Sequence, residues 1–128
     1  MTTLKEALYT RLTNQSVGFG RIYHVKRPDN ALFPCITYQS MSVQTDRLLD
    51  PTEPQNLTRE FVMFDVWGKD DTSTMDLSLE VSAALENYRG VVSTVDIFRI
   101  LLDNENDSYE DGAEIFRRSI MFEIWYRR

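Results

Sequence analysis

Leu4, Leu8 and Leu12, with Ala7 beside them, recur at the spacing of one helical face. Thr3 and Glu6 make a capping box, in which the threonine oxygen takes a free amide and the glutamate reaches back to the cap. The pattern predicts a helix that fades near Asn14 and is ended by "SVGFG". An irregular stretch with Arg21, Ile22 and Tyr23 follows. After Pro34, the run "CITYQSMSV" has the residues of a pleated strand. The segment "QTDRLLDPTEPQNLTRE" then carries two prolines and mixed charge with no sustained period. It predicts a long, mobile loop over about residues 44–59.

"EFVMFDVWG" alternates as a strand, sending Val62, Phe64 and Val66 to one face and Phe61, Met63, Asp65 and Trp67 to the other. The next segment fits two periods. Met75, Leu77, Leu79, Val81, Ala83 and Leu85 alternate, while Leu77, Val81, Ala84, Leu85 and Tyr88 form a helical stripe. Length, paired alanines, few β-branched residues, the Ser and Thr cluster before it and Gly90 after it all favour a helix. "VDIFRILLD" and "FRRSIMFEIWYRR" complete the set as strands joined by "NENDSYEDGAEI". The order helix, strand, strand, helix, strand, strand implies an α+β fold, one domain over residues 1–128. Two hairpins form a mainly antiparallel sheet with both helices on one face.

This arrangement gives meaning to two nearly identical pentapeptides, "MFDVW" at residues 63–67 and "MFEIW" at residues 121–125. Phe64, Val66, Phe122 and Ile124 form one buried layer under the helices. Met63, Asp65, Trp67, Met121, Glu123 and Trp125 then share the opposite face. Tryptophan and methionine interleaved with charge suggest a surface that meets another protein. The alternative is a loop of the same chain folded over that face. Consecutive arginines on a strand point to opposite sides, so at most one of Arg117 and Arg118 faces the helices. Arginine suits protein interfaces through its planar donors and partly apolar character, which adds Arg118 and Arg127 to the candidate contacts. For Arg127 and Arg128 a solvated strand end is the competing reading.

With 128 residues, 42% of them hydrophobic, the chain is large enough to close a core without staples. Fourteen Lys and Arg against twenty Asp and Glu give a net charge of −6, which disfavours a protein that works by covering nucleic-acid phosphates. The single cysteine, Cys35, makes no internal disulfide. "MTTLKEALYT" lacks the apolar core of a signal peptide, so a reducing cytoplasm is the expected place of folding. No window approaches eighteen consecutive apolar residues, and no membrane span is expected.

Chemical motifs are weak. Asp103, Glu105, Asp107, Tyr109, Asp111 and Glu114 match the ligand spacing of a calcium loop, but Ser108 stands where its sharp turn needs glycine and the flanks read as strands. A solvated acidic turn explains the same letters. Cys35 and the only histidine, His24, lack the spacing and third group of a nucleophile and base, and Cys35 reads as a small buried residue. Asp65 and Glu123 would make an acid and base pair only as close neighbours, and no substrate-binding motif accompanies them. No catalytic residue, metal ligand or cofactor site is expected.

Taken in order, "LKEALYTRL", "GRIYHV", "FPCITYQ", "REFVMFDVWGK", "ALENYRG", "LLDNENDSYED" and "FRRSIMFEIWYRR" resemble the small tail-completion proteins of long-tailed bacteriophages, the tail-terminator and tail-to-head-joining group. The likeness runs from about residue 4 to 127 and rests on order and spacing. Its most characteristic pieces are Arg21, Ile22 and Tyr23 with residues 34–38, 64–67 and 118–126. The resemblance implies an α+β subunit that forms a ring, commonly a hexamer, on the head-proximal end of the virion tail after assembly in the host cytoplasm. Its partners would be other copies of itself, the tail tube protein and the head connector or head-completion protein, with DNA only as passing cargo. Such a ring caps the tube, stops its polymerisation and offers a joining surface to the head. The alternatives are another neck component, such as a head-completion or connector stopper protein, and a calcium-responsive binding module.

Overall fold

A computed structural model describes residues 3–28, 32–46 and 57–127. Helix α1, Leu4–Asn14, is capped by Thr3, whose hydroxyl oxygen accepts from the Glu6 amide at 3.4 Å, and it buries Leu4, Ala7, Leu8 and Leu12. A short 3-10 turn, Val17–Gly20, leads to strand β1, Ile22–His24. Strands β2, Cys35–Asp46, and β3, Leu57–Gly68, precede helix α2, Asp71–Leu85. Strands β4, Gly90–Val92, β5, Val95–Glu110, and β6, Ile115–Arg127, complete the chain. One mixed sheet takes the order β1-β2-β3-β6-β5-β4 and curves into a half-barrel with the two helices.

The α+β class and both long hairpins agree with the sequence pattern, and the segment that fitted two periods is a helix. Asp70 starts α2, its carboxylate accepting from the Ser73 amide at 2.7 Å; that bond holds its pKa below the usual carboxylate value. Leu77, Val81, Ala84 and Leu85 are buried, whereas Leu79 is exposed, as the helical period requires. Gly68 lets β3 pass close to this helix: a Cβ there would lie 2.0 Å from the Thr74 hydroxyl oxygen. Arg11 ties the helices together by donating to the Ala84 carbonyl at 3.0 Å and stacking 4.0 Å from the Tyr88 ring centre.

Both helices pack on the alternating residues of the two central strands. Val62, Phe64, Val66, Ile120, Phe122 and Ile124 are at most 2% exposed. Phe64 meets Phe122 edge to face at 5.7 Å and stacks on Tyr38 at 5.4 Å. These residues belong to one core with Leu8, Leu12, Val81 and Leu85.

Three expectations change. The order gains β1, which pairs parallel to β2, and β4, which pairs antiparallel to β5. Each has only three residues, too few to display alternation. The 44–59 loop is shorter, because Gln44 pairs with Arg59, Thr45 with Thr58 and Asp46 with Leu57; residues 47–56 lie outside the described residues. Similarly, β5 runs through the acidic stretch to Glu110, with Asp107 opposite Arg118 and Tyr109 opposite Phe116, so only residues 111–114 turn. Both strand pairs extend past the core, where the backbone ladder continues although no apolar face is needed to seat it.

Candidate functional site

The sheet face turned away from the helices is formed in the centre by strict alternation of β3 and β6. Their register sets Arg59 opposite Trp125, Phe61 opposite Glu123, Met63 opposite Met121, Asp65 opposite Ser119 and Trp67 opposite Arg117. Thus Met63, Asp65, Trp67, Met121, Glu123, Trp125 and Arg127 share this outer face. Arg118 does not. It alternates with Ile120 and Phe122 toward the helix side, and there its guanidinium grips Asp107 at 2.7 Å and Glu105.

The outer-face aromatics are half-buried, because arginines lie across them. Arg59 sits 5.1 Å from the Phe61 ring centre and 5.5 Å from that of Trp125, Arg127 lies 5.1 Å from Phe98, and Arg117 lies 5.3 Å from Trp67. Trp125 donates its indole N–H to Glu123 at 2.8 Å, and Glu123 also approaches the Arg59 Nε at 3.8 Å.

The two ends of this face differ. At the Trp67 end the chain partly covers itself, leaving a smaller hollow of about 260 Å³ against Val25, Lys26, Arg27, Thr37 and Trp67. Arg27 stacks 5.3 Å from Trp67, the indole N–H donates to the Thr37 hydroxyl at 3.0 Å, and Cys35 and Thr37 are buried beneath. Val25 turns the segment with φ of 70°, its amide donating to the Tyr38 carbonyl at 2.9 Å. At the Trp125 end lies an open depression of about 510 Å³, walled by Phe98, Leu101, Glu123 and Trp125 and bordered by Leu57, Arg89 and Arg99. Sequence alternation missed Phe98 and Arg99 as part of this site, because a bulge between Ile97 and Arg99 resets the period.

A second hollow, about 310 Å³, lies under α1 against Leu8, Tyr38, Val62 and Tyr126. Its buried Glu60 accepts from the Tyr126 hydroxyl at 2.9 Å. Tyr38 donates to the Lys5 carbonyl at 2.9 Å; burial, with Tyr9 and Glu6 nearby, pushes its pKa up to about 12. These polar groups brace the helix against the sheet.

Geometry also weighs the chemical candidates. Cys35 lies beneath the outer face, its thiol pushed up by burial, whereas His24 packs edge-on to Tyr38, a core-side ring, at 5.3 Å. The two point to opposite sides of the sheet and do not form a nucleophile and base. Asp65 accepts from the Ser119 hydroxyl, and Glu123 sits opposite Phe61, four residues along β3 from Asp65. That spacing is roughly 13 Å at about 3.3 Å per residue, too far for a shared proton. The calcium-like acids lie along a strand and turn, which spreads them out instead of wrapping them round an ion. Among the described residues no group of three or more His, Cys, Asp or Glu converges to hold a metal ion, and no helix is long and apolar enough to cross a membrane.

The family model described as "Tail completion protein gp17" matches residues 6–127. The chain belongs to the tail completion protein gp17 family. No curated protein matches it at a significant level. Among solved structures, a chain from "Virion of native gene transfer agent (GTA) particle" aligns with a TM-score of 0.72 at 15% identity, covering 98% of this chain and 95% of its own. That likeness spans nearly the whole length of this tail-completion family member. The sequence resemblance to tail-completion proteins and the family match therefore agree.

Proposed function

We propose that this tail-completion protein is a tail terminator: a structural component of the virion whose copies close into a ring on the head-proximal end of the tail tube. The ring stops tube growth and presents the joining surface for the head connector. Family membership over residues 6–127 carries this reading. The gene transfer agent virion chain of the same fold supports it, as does the outer face, where half-buried tryptophan, methionine and arginine suit protein contact better than solvent. A closed ring requires head-to-tail contacts that differ on the two sides of each subunit, and its size, commonly six in this resemblance, follows from the rotation between neighbours. The role involves no reaction step. DNA would pass through the ring as cargo, consistent with a net charge of −6.

Purified protein added to polymerising tail tubes tests the proposal. Electron microscopy should show tubes of limited length with a ring at one end. Tubes that keep growing, with the protein on neither end, would refute it; binding only to head connectors would place the protein elsewhere in the neck.

A further inference from the structure

We infer that the ring is closed by an arm-in-socket contact between copies of this chain: the tip of the β5–β6 hairpin of one copy, led by Tyr109, seats in the Trp125-end depression of the next. This deepens the ring reading and rests on it. The arm has an occupant's chemistry. Tyr109 is 47% exposed at the tip, held 4.7 Å from Phe116, and Glu110 and Asp111 beside it are exposed. Glu105 and Asp107 further back are already held by Arg118, which stiffens the arm without covering its tip.

The depression has the complementary chemistry. Phe98, Leu101 and Trp125 supply an apolar, aromatic floor, and the exposed Arg89 and Arg99 stand at its border. Glu123 inside it is engaged by the Trp125 indole and by Arg59, and Asp96 lies opposite Arg127, so the arginines set the charge of the rim. A tyrosine entering an aromatic pocket while two carboxylates meet two arginines is the pattern of an interface hot spot.

Placement supplies the direction. Arm tip and depression occupy opposite ends of the same two paired strands, from Arg99 to Glu110, roughly 35 Å apart at about 3.3 Å per residue. A paired hairpin of that length cannot bring its tip back to its own base. The contact therefore runs from one copy to another, and its two halves are different surfaces, which allows the heterologous, head-to-tail repetition that a closing ring requires.

Sedimentation velocity of the full chain, alone and with tail tubes, tests the inference. Three variants are needed: Tyr109→Ala, the arm pair Glu110→Arg with Asp111→Arg, and the socket pair Arg89→Glu with Arg99→Glu. Circular dichroism melts verify that each folds as the wild type does, since all these side chains are exposed. At concentrations where the wild type forms rings, each variant should need at least about tenfold more protein to assemble. Combining the arm and socket pairs in one chain should restore rings, because the exchanged charges face each other again. Variants that assemble like the wild type, or a combined variant no better than either pair, would overturn the contact while leaving the ring reading intact. Socket variants that still form rings but lose tube binding would assign the depression to the tube protein instead. A wild type that stays monomeric even on tubes would overturn the ring reading itself.

Discussion

Residues 63–67 and 121–125 feed two faces of one sheet, and the faces are built on different principles. The helix side carries Phe64, Val66, Phe122 and Ile124, all 0% exposed, joined by ring contacts and closed by leucines from both helices. The outer side carries Met63, Trp67, Met121 and Trp125, half-buried and roofed mainly by arginine side chains. Apolar packing on the first face needs no partner. On the second, cations lie on aromatics in reach of water, an arrangement that another protein surface can replace or complete. The pentapeptide is therefore repeated because two central, neighbouring strands must each serve both faces.

Truncation separates the faces most sharply at the core. Phe64→Ala or Phe122→Ala should destabilise the fold by about 3–5 kcal/mol, read by chemical denaturation, because each leaves a cavity in a packed layer. A loss no larger than that of an outer-face tryptophan would erase the distinction.

The next effect divides the outer face itself. Trp67 is tied to Thr37 and covered by Arg27, so Trp67→Ala should cost the isolated fold about 2 kcal/mol. Trp125 floors an open depression, so Trp125→Ala should cost the fold less, about 1 kcal/mol, but weaken assembly by about 2 kcal/mol or more. Thermal melts paired with sedimentation measure both quantities. Equal losses of fold stability would show that self-coverage does not distinguish the two ends.

Glu60 and Tyr126 probe a polar pair on the helix side. Removing the hydroxyl with Tyr126→Phe takes a hydrogen bond from a buried carboxylate and should cost about 1–3 kcal/mol at pH 7. The companion Glu60→Gln change should recover part of this loss in the double variant, since a neutral amide is cheaper to bury than a carboxylate. Additive losses in the double-mutant cycle would show the two groups to be uncoupled.

Smallest of all should be the effect of the acids on the arm. Asp103→Asn with Asp107→Asn removes one exposed partner of Arg118 and relieves repulsion, so stability should change by less than about 1 kcal/mol. Arg118 keeps Glu105. Calcium should leave the melting temperature unchanged in both forms; a calcium-dependent rise lost in the double variant would instead indicate a bound ion.

Much of this was legible in the order of residues. Leu4, Leu8 and Leu12 marked a helix, and the alternation of residues 62–67 and 120–126 sorted both central strands by face, because period alone decides which side chains leave water together. Legibility failed where apolar pattern was absent or interrupted. β1 and β4 are too short to show a period, and β5 stays a strand through Asp107 and Tyr109 because β6 lies alongside it. The bulges at Phe98 and Asp103 shift its period midway.

By itself, then, the sequence determined the α+β class, the two helices, the buried layer and the residues that would oppose it, since each follows from local periodicity and the need to bury apolar area. Only the tertiary structure decided that Arg118 is held by Glu105 and Asp107, that Cys35 and His24 are turned apart, and that Trp67 is roofed by Arg27 while Trp125 borders the larger hollow. Those outcomes depend on register, on bulges and on segments distant in the chain, and backbone pairing sets them without leaving a repeating mark in the sequence.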